Sequence, residues 1–153
     1  MTKVDQLVCL AQDVANKHPA FFDIKGPGAG DRDTGRFMEA LRVRAEATVA
    51  ADHSEKQICG SNNLRVDFYF ADEQAIVEVA LGLRNPTSEF ERDVLKAIIA
   101  SASDSPVKQL VFISKPGAVK RLEQPGAKAI RDWAERTHGI RVDVRELLPS
   151  PAA

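Results

Sequence analysis

The chain has 153 residues, with 21 basic side chains against 22 acidic ones and a formal charge of −1. No global field therefore draws it onto nucleic acid or an anionic membrane, and any such affinity must come from a local patch. Cys9 and Cys59 are its only cysteines; they show neither disulfide nor zinc spacing, which suits a reducing cytosol. No segment approaches the ~20 apolar residues of a membrane span. The opening Met1-Thr2-Lys3-Val4-Asp5 has no signal-peptide character, so a soluble cytoplasmic protein is expected.

A chain of this length buries roughly 68–70% of its unfolded surface, and one α/β domain is expected over residues 1–148, with a flexible tail at 149–153. Val4, Leu7, Val8, Ala11, Val14 and Ala15 recur at helical spacing up to Lys17, before His18-Pro19. A glycine-rich loop follows from Lys25 to Asp33. From Thr34 to about Ala51 a second helix carries Phe37, Met38, Leu41, Ala45, Thr48 and Val49 inward, with Asp33 or Thr34 as its cap. Gln57 to Gly60 reads as a short strand. Leu64 to Phe70 and Ala75 to Leu81 then form a hairpin.

Gly82 to Pro86 is a turn, with Thr87 or Ser88 capping a helix from Glu89 to Ala102. Val107 to Ile113 is a strong strand. A helix from Pro125, stopped by Gly139, is expected to turn Ala129, Ile130, Trp133 and Thr137 inward. Ile140 to Leu147 alternates as a last strand. The order implies helices packed around a mixed sheet with an antiparallel hairpin.

The hairpin carries the most informative feature. Leu64, Val66, Phe68 and Phe70 alternate with Arg65, Asp67 and Tyr69, while the second strand is apolar except for Glu78. If Asp72 and Glu73 are the central turn residues, Asp67 stands opposite Glu78 and Arg65 opposite Ala80. Directly opposed Cβ atoms lie about 4.5–5.5 Å apart, where like charges destabilise a sheet. Such a pair needs a cation or a proton between its members. Mg²⁺ or Mn²⁺, completed by water and phosphate, is one solution; the guanidinium of Arg65 is the other.

Other motifs point to ordinary roles. The loop Gly26-Pro27-Gly28-Ala29-Gly30 follows no predicted strand and precedes no Gly-Lys-Ser/Thr, so it fits neither phosphate-binding fingerprint. His18, His53 and His138 share no ligand spacing, and no Ser/His/Asp or Cys/His grouping stands out. Lys115, Lys120, Arg121, Lys128, Arg131 and Arg136 form a late basic excess that suits either a phosphate backbone or a solvated helix face. Trp133, at helical spacing from Ile130, reads as core.

Val66-Asp67, ten intervening residues and Glu78-Val79-Ala80 together resemble the PD-(D/E)XK, or restriction-endonuclease-like, nucleases. Their order of helix, three-stranded meander, helix and strand is matched from about residue 34 to 113, with the last helix and strand as an addition. The resemblance implies that Asp67 and Glu78 bind Mg²⁺ or Mn²⁺ and that the substrate is DNA or RNA; many relatives act as dimers, so a homodimer is possible on the same ground. Val66 replaces the family's proline. Ala80 replaces its lysine, so water activation needs another cation, and Arg65 and Arg92 are the candidates. Arginine stays protonated and so would hold water or stabilise charge rather than act as base.

Relatives also move site residues into the helix after the third strand. At about 100° per residue from Phe90, Phe90, Val94, Leu95, Ala97, Ile98 and Ile99 form the apolar arc. Glu91 falls inside that arc and is a candidate third metal ligand, whereas Lys96 falls in the middle of the polar arc and reads as solvated. Glu39, on the preceding helix, ranks behind Glu91. The competing readings are a catalytically inactive module of the same fold, which the missing lysine favours, and a metabolite-binding domain using Gly28 and Gly30.

Overall fold

The computed structural model describes residues 1–18, 21–22, 29–49, 54–81 and 89–149. In chain order the elements are α1 (Lys3–Lys17), α2 (Ala29–Val49), β1 (Ser54–Lys56), β2 (Val66–Phe70), β3 (Ala75–Val79), α3 (Glu89–Ala102), β4 (Gln109–Ser114), α4 (Ala118–Leu122), α5 (Pro125–His138) and β5 (Arg141–Glu146). No helix among the described residues is long and apolar enough to cross a membrane. Two compact units emerge: residues 1–52 with 147–153, and residues 53–146.

In the first unit α1 packs against α2. Thr2 caps α1 through a reciprocal capping box with Asp5, which satisfies two otherwise orphaned amide N–H groups. Val4, Leu7, Ala11, Val14 and Ala15 are buried, as the spacing predicts, and so are Phe37, Met38, Leu41 and Ala45 of α2, whereas Thr48, expected inward, is exposed. Phe21 stacks on Phe37 with ring centroids 4.8 Å apart. The helix α2 begins at Ala29, so Asp33 and Thr34 lie inside it rather than at its cap. Acidic residues suit the first turns of a helix as well as its cap, which hid this boundary from the pattern. Gly26, Pro27, Gly28, His53 and the turn before α3 fall outside the described residues.

The second unit is a five-stranded sheet in the order β1-β2-β3-β4-β5. The first three strands form an antiparallel meander, while β3, β4 and β5 run parallel. The first strand lies at Ser54–Lys56, just before the expected Gln57–Gly60. Between β2 and β3 the register is the expected one, with Phe68 paired to Val77, Tyr69 to Ile76 and Phe70 to Ala75. The turn spans residues 71–74, with amide N–H groups of Glu73 and Gln74 donating to the Phe70 and Ala71 carbonyls. Gln74 takes a left-handed φ of 51° to close it.

Ile76, Ala80, Leu110, Phe112 and Val142 from the sheet form one core with Phe90, Val94, Ala97 and Ala100 of α3, Leu122 of α4 and Ala134 of α5. The rings of Phe90 and Phe112 meet at 5.6 Å. Fully burying each such aromatic contributes about 1.5–3 kcal/mol. The five-residue α4 was not expected from the pattern. Helix α5 buries Ala127 and Ala134, whereas Trp133 is 38% exposed. The indole lies edge-on to His138 at 4.9 Å rather than in the core, because an amphipathic ring can leave one face in water.

Candidate active site

Glu78 is the single acid in a strand whose Ala75, Ile76 and Val77 are fully buried. It is itself only 4% exposed. Charged side chains are almost never buried without a partner, and here the partner comes from α3. The Lys96 ammonium lies 2.9 Å from Glu78 Oε1 and 3.0 Å from Asp93 Oδ1, and it donates a 2.8 Å hydrogen bond to the main-chain carbonyl of Arg65. Asp93 and Lys96 are 4% and 6% exposed, and their i,i+3 spacing sets them on one face of the helix.

The bonds around Lys96 differ in kind. The Arg65 carbonyl is aligned with an ammonium N–H, whereas Glu78 Oε1 and Asp93 Oδ1 sit at contact distance without an aligned hydrogen bond. The thiol of Cys59, itself buried, donates to the Lys96 carbonyl at 3.4 Å and ties this turn of α3 to the segment before β2. Burial pushes the Cys59 thiol pKa up, so this side chain stays a neutral donor.

Asp67 is half-buried, and its Oδ2 accepts from the Val79 amide N–H at 2.8 Å. That bond links β2 to β3 just beyond their last ladder pair. It sets Asp67 close enough to Glu78 for the two carboxylates to repel. Burial, then the charges of Asp93 and Asp67, push the Glu78 carboxyl up to about 9 against the opposing pull of Lys96. Burial raises Asp93 as well, with Lys96 opposing, and burial followed by the Asp93 charge raises Glu89. Burial works against the Lys96 ammonium, yet Glu78 and Asp93 outweigh it and its pKa rises. One ammonium thus faces more carboxylate than it can neutralise.

The expected residues divide sharply. Asp67 and Glu78 come together as the hairpin register requires. Arg65 and Arg92 are exposed, and the cation on Glu78 is Lys96 instead. Arg65 takes part through its carbonyl. Glu91 is exposed on the outer side of α3, not directed at the pair, and Glu39 is exposed on α2. Lys96, expected in solvent, is buried, and so is Asp93, which lies outside the expected set. The reason is the rotation of α3. Leu95 and Ile99 drew the predicted arc toward themselves, but they are 52% and 37% exposed. The buried arc is centred on Phe90, Asp93, Ala97 and Ala100, which turns Glu91 out and Lys96 in.

Among the described residues no group of three or more His, Cys, Asp or Glu side chains is arranged to hold a metal ion. Two carboxylates nevertheless suit Mg²⁺ or Mn²⁺, which keep several waters and complete their shell with substrate phosphate. The buried Glu78 Oε1 lacks an aligned hydrogen bond and is met by the Lys96 ammonium at 2.9 Å. Of the late basic residues, Lys128 is paired to Asp132, and Arg131 donates to the Leu122 and Val142 carbonyls; both serve the fold locally.

No family model, curated protein or solved structure matches the chain.

Proposed function

We propose that this chain is a divalent-metal-dependent phosphodiesterase acting on nucleic acid, a divergent relative of the restriction-endonuclease-like class. The observation that carries the reading is the Lys96 ammonium 2.9 Å from Glu78 Oε1. It supplies, from the helix after the third strand, the cation missing at Ala80. The element order of α2, the β1-β2-β3 meander, α3 and β4 supports it as well.

In this reading Asp67 and Glu78 hold the metal. A divalent ion held there would supply a more acidic water and charge neutralisation at the scissile phosphate. Lys96 is a donor, not a base: its raised pKa keeps it protonated, so it orients the attacking water and stabilises the developing oxyanion. Low surrounding dielectric strengthens that interaction relative to water.

The test is incubation of the protein with plasmid, single-stranded DNA and RNA in Mg²⁺ and in Mn²⁺, beside Asp67→Ala, Glu78→Ala and Lys96→Met. Cleavage of at least one substrate is expected, falling about 100-fold or more in each variant, in line with the loss of one charge-stabilising group. Cleavage that survives in all three variants removes the assignment. A second reading, a module of the same fold that binds without cutting, is favoured by the bond from the Val79 amide to Asp67 Oδ2, which already engages one carboxylate oxygen. It predicts binding of nucleic acid without metal-dependent products.

A further inference from the structure

Strand β5 ends the sheet, so it has a strand neighbour on one side only. The Arg141 amide N–H donates to the Lys108 carbonyl on the β4 side, and main-chain groups alternate in direction from residue to residue along a strand. Arg141, Asp143 and Arg145 therefore direct their main-chain groups at β4, while Val142, Val144 and Glu146 turn theirs to the open edge. The Arg131 guanidinium meets the Val142 carbonyl there at 3.2 Å. Among the described residues, nothing bonds the main chain of Val144. A row of such groups is a template for another strand.

The order of charges along β5 selects that strand. A second copy would pair with it antiparallel, across a two-fold axis. Only outward-pointing main-chain groups can bond one another, so the axis passes through a residue and not between two. Centred on Val144, the pairing sets Val144 against itself, Val142 against Glu146, and Asp143 against Arg145 twice. Centred on Asp143, it opposes Asp143 to Asp143 and Arg141 to Arg145; centred on Arg145, it opposes Arg145 to itself. Like charges at such positions destabilise a sheet and opposite ones support it. Centred on Val142, the ladder needs the Ile140 N–H, which already donates to the Ala134 carbonyl at 3.2 Å. Charged side chains commonly protect an edge from pairing; here they oppose two of the registers and favour one.

We propose that this protein self-associates through the open edge of β5, antiparallel and centred on Val144, so that two five-stranded sheets join into one. Asp143 is set for the contact: Arg141 Nε and Gln109 Nε2 both bond its Oδ2, at 2.9 and 3.0 Å, and its second oxygen keeps acceptor capacity for the arginine of the second copy. The Val142 carbonyl has two lone pairs and can keep Arg131 while accepting from Glu146 of that copy. A ladder over residues 142–146 buries little area, which places the dimer in the weak, transient class, and salt loosens it by screening the charge pairs. The inference stands independently of the nuclease reading.

Sedimentation equilibrium of the full chain over a range of concentrations, at low and high salt, tests it. The unaltered protein is expected to show a monomer–dimer equilibrium that salt weakens. Asp143→Arg and Arg145→Asp each turn two attractive pairs into two repulsive ones and should weaken the dimer about tenfold or more. Mixing these two variants should restore a dimer near the unaltered affinity, because every cross-pair is then attractive again. Val144→Pro removes the N–H at the axis and leaves the β4 ladder intact, and it should abolish the dimer with little change in melting temperature. A chain that stays monomeric throughout overturns the proposal. So does a dimer that none of the three variants weakens, and a mixture that associates no better than its components overturns the register. If Asp143→Arg fails to fold for loss of its bonds to Arg141 and Gln109, Arg145→Asp and Val144→Pro still decide.

Discussion

Glu78→Gln is expected to raise thermal stability while abolishing the response to metal. The cluster holds more carboxylate than its single ammonium neutralises, and burial with the charges of Asp93 and Asp67 pushes Glu78 up to about 9. Glutamine keeps the shape, removes the cost of holding Glu78 protonated at neutral pH and leaves Lys96 paired with Asp93 and the Arg65 carbonyl. Replacing surplus buried charge by a neutral group of similar volume commonly stabilises by about 1–4 kcal/mol.

The sign with pH follows from linkage. Unfolded, the carboxyl titrates near its ordinary 4.5; folded, near 9. Below the lower value both states are protonated and no penalty exists. Between the two, the folded state binds the extra proton, so stability falls as pH rises. Above the upper value the penalty is complete. Lys96 adds no slope in this window, since its pKa lies above 10.5 in the folded state. Melting curves of the unaltered protein from pH 6 to pH 9.5 should therefore decline more steeply than those of Glu78→Gln. Parallel curves would mean that Glu78 carries no buried penalty.

Lys96→Met should act in the opposite direction. Methionine fills the same space but leaves Glu78 and Asp93 buried with no cation beside them. Removing one member of a buried ionic cluster costs about 3–5 kcal/mol, a large share of a typical domain's stability. The loss should be smaller near pH 5 than near pH 9.5, above the value of about 9 to which Glu78 is pushed. Lys96→Arg should not restore the full value, because a planar fork does not fit a seat built around a point charge. Urea unfolding at both pH values measures this, and a loss below about 0.5 kcal/mol, the range of ordinary surface substitutions, would show that Lys96 does not hold the cluster. Combined with Glu78→Gln, the cost should be less than additive, because the two side chains share one interaction.

Much of the architecture was legible because periodicity and burial agree. The alternation in β2 and the turn before β3 set the register that brings Asp67 toward Glu78. The apolar run of β4 and the Pro125 and Gly139 boundaries of α5 were equally clear. On α3, by contrast, apolar residues do not mark the buried face. On α3, Leu95 and Ile99 are exposed while Asp93 and Lys96 are buried, so a rotation judged on hydropathy alone points Lys96 into solvent. Buried charge is the exception to the burial rule, and exceptions of that kind gather at functional sites. The signal that could have found Lys96 was Glu78 itself: a lone carboxylate in an apolar strand demands a cation, and the adjacent helix is an obvious place to seek it.

One buried oxygen remains outside this account. Ser114 is fully buried and its Oγ has no hydrogen-bond partner among the described residues, a cost of about 1–3 kcal/mol for which the surrounding core gives no physical reason.

The central claim is that Asp67 and Glu78 take a divalent cation with Lys96 beside them. Anomalous diffraction from a crystal equilibrated with Mn²⁺ tests it most directly. The expected result is one strong peak bonded to oxygens of both Asp67 and Glu78. A crystal in which manganese stays away from both carboxylates while Lys96 keeps its contact with Glu78 would contradict it.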